Sequence, residues 1–429
     1  MEARIIDFLE RLPSGLTVVY DDIPSVGTTA LAFFIGVGSR DETPSQWGTA
    51  HLLEHMLFKG AGTLDQSAIA RQMDKLGAEV NAFTTRDYTC FHARVLDSEA
   101  ITAYRLLKVM VTEPWLRQDD LAREKNVVRE EMRESQDDPD DVLDLLLTDA
   151  LYSDLSYSHD VLGSLQSLDQ IEARDLSAFF HQYYRPPRMV FAISGGARQQ
   201  VLDLISRDFS ASPVAEATPV VPFRPSWRFE TRQTVADWEQ LHIGLAVPAP
   251  ARSHPSYYGA LMAASILGGQ NSSRLWQRLR EEEGLVYTVG TQYTAEQGFG
   301  EMTTYLSVGP RQLVQSLEAL GAELGRMGKQ EPDAQEMEST RTSLFTILMM
   351  ALEAPDSRVL RLGRYGLDQI LPEPIELVRD RLGQVDAETV QALARRWSDM
   401  DQMAKAWAGP IASPVADLLD YLRRGIEHA

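Results

Sequence analysis

The stretch HLLEHMLFKG, residues 51–60, sets two histidines and a glutamate into five positions of an otherwise apolar run. On an α-helix, at about 100° per residue, His51 and His55 fall about 40° apart on one face, so both imidazoles can address one ion. Glu54 lies between them in sequence and in phase. Ionisable groups inside an apolar run have to be paired, neutralised or bound to a metal. The order H-x-x-E-H reverses H-E-x-x-H and is the inverzincin signature, two metal ligands with a general base between them. A hydrolytic zinc site takes three protein ligands and leaves a fourth position open, so the motif lacks one ligand. The competing reading is a solvated face or a paired polar cluster, and a third ligand separates the two. Residues 124–134, EKNVVREEMRE, form a charged helical run with Glu124 and Glu131 seven apart, about 20° from superposed after two turns. Glu130 lies about 100° off that face. A charged helix is as readily a wet surface, so periodicity alone does not choose among these carboxylates.

The elements that would position these groups alternate between the two periods of regular structure. GLTVVYDDIPSVGTTALAFFIGVG, residues 15–38, reads as two strands around a Pro/Ser/Gly turn. The helix carrying His51 and His55 follows, with Gly60 and Gly62 as its stop. QSAIARQMDKLG is a second helix ended by Gly77, and EVNAFTTRDYTCFHARVL is a strand pair. Helices are expected from Ser98 to Val111 and from Asp119 to about Ser135, and FHQYYRPPRMVFAISGG runs from a helix end into a strand. Four prolines within 210–227 mark a linker. Beyond it the order recurs, with a strand at LHIGLAVPAP, helices over 255–269 and 272–284, and strands at VYTVGTQY and GEMTTYLSVG. The reading is an α+β chain of two homologous units with mostly antiparallel sheets, 1–209 and 228–429, joined by the 210–227 linker.

Composition bounds the function. The 429 residues are 44% hydrophobic and carry a formal charge of -21, from 62 acidic against 41 basic residues. A phosphate backbone would be repelled, which excludes nucleic acid as the expected partner. The single Cys90 forms no internal disulfide, and no secretory or transit segment or membrane-length apolar run is evident, so a cytoplasmic protein is expected. Cys90 and His92 alternate onto one strand face, where a small buried thiol and a partly exposed histidine are expected in place of a metal site. His159 reads as structural.

HLLEHMLFKG, GAEVNAFTTRDYTCFHARV and EKNVVREEM together resemble the M16 zinc peptidases, the group of pitrilysin, insulin-degrading enzyme and mitochondrial processing peptidase. The family's third ligand is a Glu about 76 positions after the second histidine, which falls on Glu131. The resemblance thus implies one Zn²⁺ per chain held by His51, His55 and Glu131, with Glu54 as general base and Glu124 supporting the site from behind the ligands. GVGSRDE at 36–42 and YYRPPRMVFAISG at 183–195 also look familial. LGGQNSSRLWQRLREEEGLVYTV, 267–289, resembles the segment whose Arg and Tyr bind the substrate carbonyl, here Arg280 and Tyr287. VNAFT resembles the edge strand that holds substrate as an added strand, making Asn81, Ala82 and Phe83 substrate-binding positions.

The length is that of the short, M16B-like branch, similar to the processing peptidase beta subunit and to a pitrilysin half. Such chains pair as two halves of a clamshell around a closed chamber. Since this chain carries both the zinc motif and the Arg/Tyr pair, the resemblance implies a homodimer with two composite sites acting on short or unfolded peptides. The alternatives are a structural or assembly subunit of the same fold, and one half of an obligate heterodimeric processing peptidase.

Overall fold

A computed structural model describes residues 7–21, 26–77, 79–210, 222–410 and 415–429. Its first sheet contains β1 (Asp7–Arg11), β2 (Thr17–Asp21), β3 (Thr28–Ile35), β4 (Glu79–Thr84), β5 (Thr89–Leu96) and β6 (Met189–Gly195), in the order β1-β2-β6-β3-β5-β4. Only β2 and β6 run parallel. The second sheet contains β7 (Thr231–Val235), β8 (Leu241–Ala249), β9 (Thr288–Ala295), β10 (Gly300–Val308) and β11 (Ala404–Gly409), in the order β9-β10-β8-β11-β7, with β7 and β11 parallel. With β1 set aside, each sheet places its strands first, last, second, fourth, third. The two halves are therefore one topology used twice, as the recurring element order predicts. β1 was not foreseen. It is a short hairpin arm closed by the Leu12 N–H to Leu16 carbonyl bond, with Gly15 at a φ of +90° that favours glycine.

Helices α1 (Thr49–Leu57), α2 (Gln66–Leu76), α3 (Ala100–Thr112) and α4 (Gln118–Asp137) follow the expected order. α2 ends on Gly77 at φ +58°, the left-handed stop read from the sequence. α1 buries Leu52, Leu53, Met56 and Leu57 completely, in one apolar core with Phe33, Phe91, Tyr104 and Phe191. Each such side chain gains about 2 kcal/mol from leaving water.

The single boundary at 210–227 is corrected by the packing. Two compact units exist, but they interleave: Met1–Met132, His159–Val221 and Leu348–Ile375 form one, and Arg133–Ser158, Pro222–Ile347 and Glu376–Ala429 the other. The expected linker lies largely outside the described residues, at 211–221. Each half of the sequence lends the other a helix. α5 (Pro139–Leu151), begun by the Asp138 carboxylate accepting from the backbone N–H of Asp140, covers the second sheet with Leu143, Leu147 and Leu151. α7 (Pro355–Leu367) covers the first sheet: Val359 and Leu362 pack with Val19, Phe34 and Val190. A Cβ on Gly363 would overlap the Phe34 ring at 1.9 Å, which fixes how closely this helix lies on β3. The buried Arg358 guanidinium pairs with Asp21 at 2.5 Å and donates to the Leu352 carbonyl at 2.9 Å. In the second unit, α6 (Leu313–Lys329) packs on α8 (Val415–His428), where Gly321 and Gly325 admit the backbone of the partner helix.

The helices expected at 255–269 and 272–284 are altered. The first is α-helical over Tyr257–Ala264 and then turns π over Ser265–Gly269; the second is π over Trp276–Glu282. Gly268 lies in the first π turn, where a Cβ would come 2.5 Å from the Thr291 backbone nitrogen of β9, so glycine lets the turn lie against that strand.

Candidate metal centre and active site

The first turn of α1 is held by a buried carboxylate. Glu42, at the end of the GVGSRDE segment, accepts from the backbone N–H groups of Gly48 at 2.8 Å and Ala50 at 2.6 Å, and from His159 Nε2 at 3.3 Å. A carboxylate fits there because a helix start presents unpaired N–H groups and a positive dipole end. His159 stacks flat on Trp47 at 4.8 Å, and Gly48 takes a φ of +87° to enter the helix. His159 is thus structural, as expected, and its position fixes where the face of His51 and His55 points.

That face meets α4. His51 Nε2 and His55 Nε2 lie 3.9 and 3.6 Å from the same Glu131 oxygen, Oε2. Among the described residues, these three form the one cluster whose ligand atoms all fall within 4.8 Å of each other. Glu131 Oε2 is buried without a hydrogen-bond partner, as is His51 Nδ1. A tetrahedral zinc with bonds near 2.1 Å separates its ligand atoms by about 3.4 Å. The donor set and its spacing therefore fit zinc, with a small contraction. Glu130 is exposed on the same helix and outside the cluster.

Protonation supports the same conclusion. Glu124 Oε2 lies 3.2 Å from His55 Nδ1 and its Oε1 lies 2.7 Å from Lys59 Nζ. Burial pushes the Glu124 carboxyl up, but the bonds from His55 and Lys59 outweigh it and hold the group below its usual value. An ionised carboxylate only accepts, so Nδ1 of His55 carries a proton and Nε2 is the nitrogen that faces Glu131, free to ligate once any proton on it is given up to a metal. Burial, with the neighbouring His55, holds the His51 imidazole down to about 3, neutral and ready to ligate. For His55, burial is opposed and overcome by Glu124, Glu131 and Glu54, which raise it. The neutral His51 imidazole and the carboxylates converging on one point favour a positive charge there, a proton on His55 or a metal ion in its place.

Glu54 faces the same space. It is 8% exposed and accepts from the Thr84 hydroxyl at 2.5 Å. Burial raises its carboxyl, as Glu131 does, against the lowering effect of Thr84 and His55, which suits a group that must take up and release a proton. Thr84 and Lys59 were not singled out by sequence reasoning. Each lies inside a stretch that the sequence did mark, Thr84 as the last residue of VNAFT and Lys59 within HLLEHMLFKG, but nothing there pointed to the side chain itself.

β4, which carries VNAFT, ends the first sheet, and among the described residues it pairs only with β5. Ala82 packs with the core that includes α1, whereas Phe83 packs on the opposite face with Tyr88 and His92 at ring distances of 6.0 and 5.9 Å. Cys90 is fully buried on that opposite face, where burial raises its thiol, and His92 is partly buried; neither joins a metal cluster among the described residues. In the second unit, Arg280 lies over the Trp276 ring at 4.2 Å and the Tyr287 ring at 5.8 Å, and Tyr287 is 71% exposed. The structure thus brings Arg280 and Tyr287 to each other. The helix that corresponds to α1 in this unit, YYGALMAA, carries no histidine or acid.

The chain is thus a duplicated α+β fold with a His-His-Glu centre in one repeat and, among the described residues, no such cluster in the other. Residues 17–164 match the Insulinase (Peptidase family M16) domain, and residues 170–344 match the Peptidase M16 inactive domain. The chain is 32% identical over 384 residues to "Uncharacterized zinc protease YmxG" of Bacillus subtilis, covering 89% of this chain and 93% of that one. It is 33% identical to a Mycobacterium tuberculosis protein named as an uncharacterized zinc protease, over 90% and 89% of the two chains. Among solved structures, a protease from Helicobacter pylori superposes with a TM-score of 0.86 at 18% identity, covering 95% of this chain and all of that one. A protein from Pseudomonas fluorescens described as a peptidase M16 inactive domain gives 0.84 at 23%, over 95% and 98%. This chain belongs to peptidase family M16.

Proposed function

We propose that the chain is a zinc-dependent endopeptidase that hydrolyses short or unfolded peptides presented as extended strands. The observation that carries this is the convergence of His51, His55 and Glu131 on one point, with the buried Glu54 held beside them by Thr84. His51, His55 and Glu131 would hold the ion, one per chain, and Glu124 fixes the tautomer of His55. Zinc, when bound, supplies Lewis acidity toward water and toward the scissile carbonyl. Glu54 takes a proton from water on one Oε and returns it to the leaving amine, and its raised pKa serves both transfers. The open edge of β4 supplies backbone pairing at Ala82, recognition that reads an extended main chain more than a sequence.

Arg280 and Tyr287 complete the reading as donors to the carbonyl oxygen, which the exposure of Tyr287 supports. Loss of one such donor typically costs about 100- to 1,000-fold. The pair would act from a second copy of the chain, in a homodimer whose two subunits enclose the chamber. No helix among the described residues is long and apolar enough to cross a membrane.

The test is a quenched-peptide assay. The parent chain should hydrolyse the peptide, and Glu54→Gln should lose at least about 100-fold in rate while still binding one zinc. Mixed dimers of Glu54→Gln with Tyr287→Phe should regain activity, because one composite site is then intact. An inactive parent chain with its zinc bound contradicts the peptidase reading, and no recovery in demonstrated mixed dimers contradicts the shared site.

A further inference from the structure

The hairpin β4–β5 fixes which backbone groups of β4 face the open edge. The Thr85 N–H donates to the Tyr88 carbonyl at 2.8 Å, so Thr85 and Tyr88 form a hydrogen-bonded pair at the turn. In an antiparallel ladder, bonded and non-bonded pairs alternate. Carried along the register, the pairs Phe83 with Cys90 and Asn81 with His92 are bonded, while Thr84 with Thr89, Ala82 with Phe91 and Val80 with Ala93 are not. Val80, Ala82 and Thr84 therefore point their N–H and C=O groups away from β5, toward the edge where another strand can add. The central one of the three is engaged: the Ala82 N–H donates to Oδ1 of Asn81, its own neighbour, at 2.9 Å. Asn81 is exposed and its side chain bends round the edge to make this bond.

We infer that Asn81 is a specificity-determining residue of the edge, whose carboxamide oxygen stands in for a peptide carbonyl and must be displaced before a substrate strand can pair with Ala82. This rests on the peptidase reading above and alters the role that the sequence suggested for Asn81, from a substrate contact to a competitor of substrate. Edge strands with free N–H groups recruit other chains, and proteins blunt them with local devices. A side-chain amide blunts the edge reversibly. It gives way to an acceptor that is held by several simultaneous strand bonds and resists one that offers a single carbonyl. The chemical class admitted is an extended peptide with consecutive unblocked main-chain amides, and isolated polar groups of folded surfaces are turned away.

The experiment has two arms, both on the full chain. In the zinc-loaded Glu54→Gln protein, the affinity for a fluorescent peptide that the parent cleaves is measured with Asn81 and with Asn81→Ala. Removing the competitor should tighten binding about two- to tenfold, the range set by one net hydrogen bond. Unchanged or weaker binding overturns the inference, since a residue that contacts substrate would weaken it. The second arm needs no peptide: hydrogen exchange at the Ala82 amide should be faster in Asn81→Ala than in the parent, and equal exchange overturns the inference. A parent chain that cleaves no peptide would refute the peptidase reading alone, and the exchange arm would still decide whether Asn81 closes the edge.

Discussion

Glu124 does not touch the ion site, yet the geometry makes zinc affinity depend on it. Its two oxygens serve different partners, His55 Nδ1 at 3.2 Å and Lys59 Nζ at 2.7 Å, and the residue is 5% exposed. In Glu124→Gln the amide can keep only one of these bonds. If its oxygen turns to Lys59, its NH₂ faces His55 Nδ1 and drives the ring proton onto Nε2, the nitrogen that faces Glu131. If its oxygen turns to His55, its NH₂ faces the Lys59 ammonium, two donors together in a largely buried place. Removal of such an outer partner typically costs 10- to 100-fold in metal affinity, about 1.4 to 2.7 kcal/mol. Competition for zinc with a chromophoric chelator at fixed pH and salt measures this directly. Glu130→Gln, one residue from the ligand but on the exposed face, should bind like the parent. Equal zinc affinity for Glu124→Gln and the parent would refute the tautomer argument.

Three further outcomes are expected from the packing. Thr84→Val should lower kcat about 10- to 100-fold, the range for a hydrogen bond to a charged group, with zinc affinity unchanged, and Thr84→Ser should restore most of the rate; a coupled loss of zinc would show that Thr84 acts on the fold. Asp21→Asn leaves the Arg358 guanidinium buried without its counter-charge and should destabilise the first unit by about 3 to 5 kcal/mol, read by denaturant unfolding, whereas a near-neutral effect would contradict the docking of α7 on the first sheet. In the metal-free protein, burial keeps the folded-state pKa of His51 near 3, below its ordinary value of 6.5. The unfolded chain then binds a proton that the folded chain refuses, so stability falls as pH drops from about 6.5 toward 3 and this contribution levels off below that. Thermal unfolding of His51→Gln over this window should show a shallower slope than the parent; an equal slope would count against a buried neutral His51.

Local periodicity made part of the site legible in the sequence. The helical repeat puts His51 and His55 on one face, and it also puts Glu124 and Glu131 on one face, but it does not say which carboxylate meets the imidazoles. That assignment came from family resemblance, and the structure separates the two: Glu131 meets the Nε2 atoms while Glu124 holds the far nitrogen of His55. Glu42, Lys59 and Thr84 depend on contacts between distant segments, so no spacing rule marks them. Of the strand order 1-5-2-4-3, the sequence marked only the pairing of strands 3 and 4, because hairpins join neighbours; the pairings of the last strand with the first and second, and of the second with the fourth, join distant segments that no local signal connects. The exchange of α5 and α7 between the repeats was invisible, since a helix's apolar stripe shows that it packs and not on what. The need for Gly268 was hidden for a similar reason, as it arises from the approach of Thr291.

The proposed zinc ion would sit where three side chains from two helices meet. Crystals of the zinc-loaded Glu54→Gln protein, measured on both sides of the zinc absorption edge, test it most directly. The expected result is one anomalous peak per chain, bonded to the Nε2 atoms of His51 and His55 and to Glu131. A peak elsewhere, or a loaded site with Glu131 turned away and another residue in its place, would contradict it.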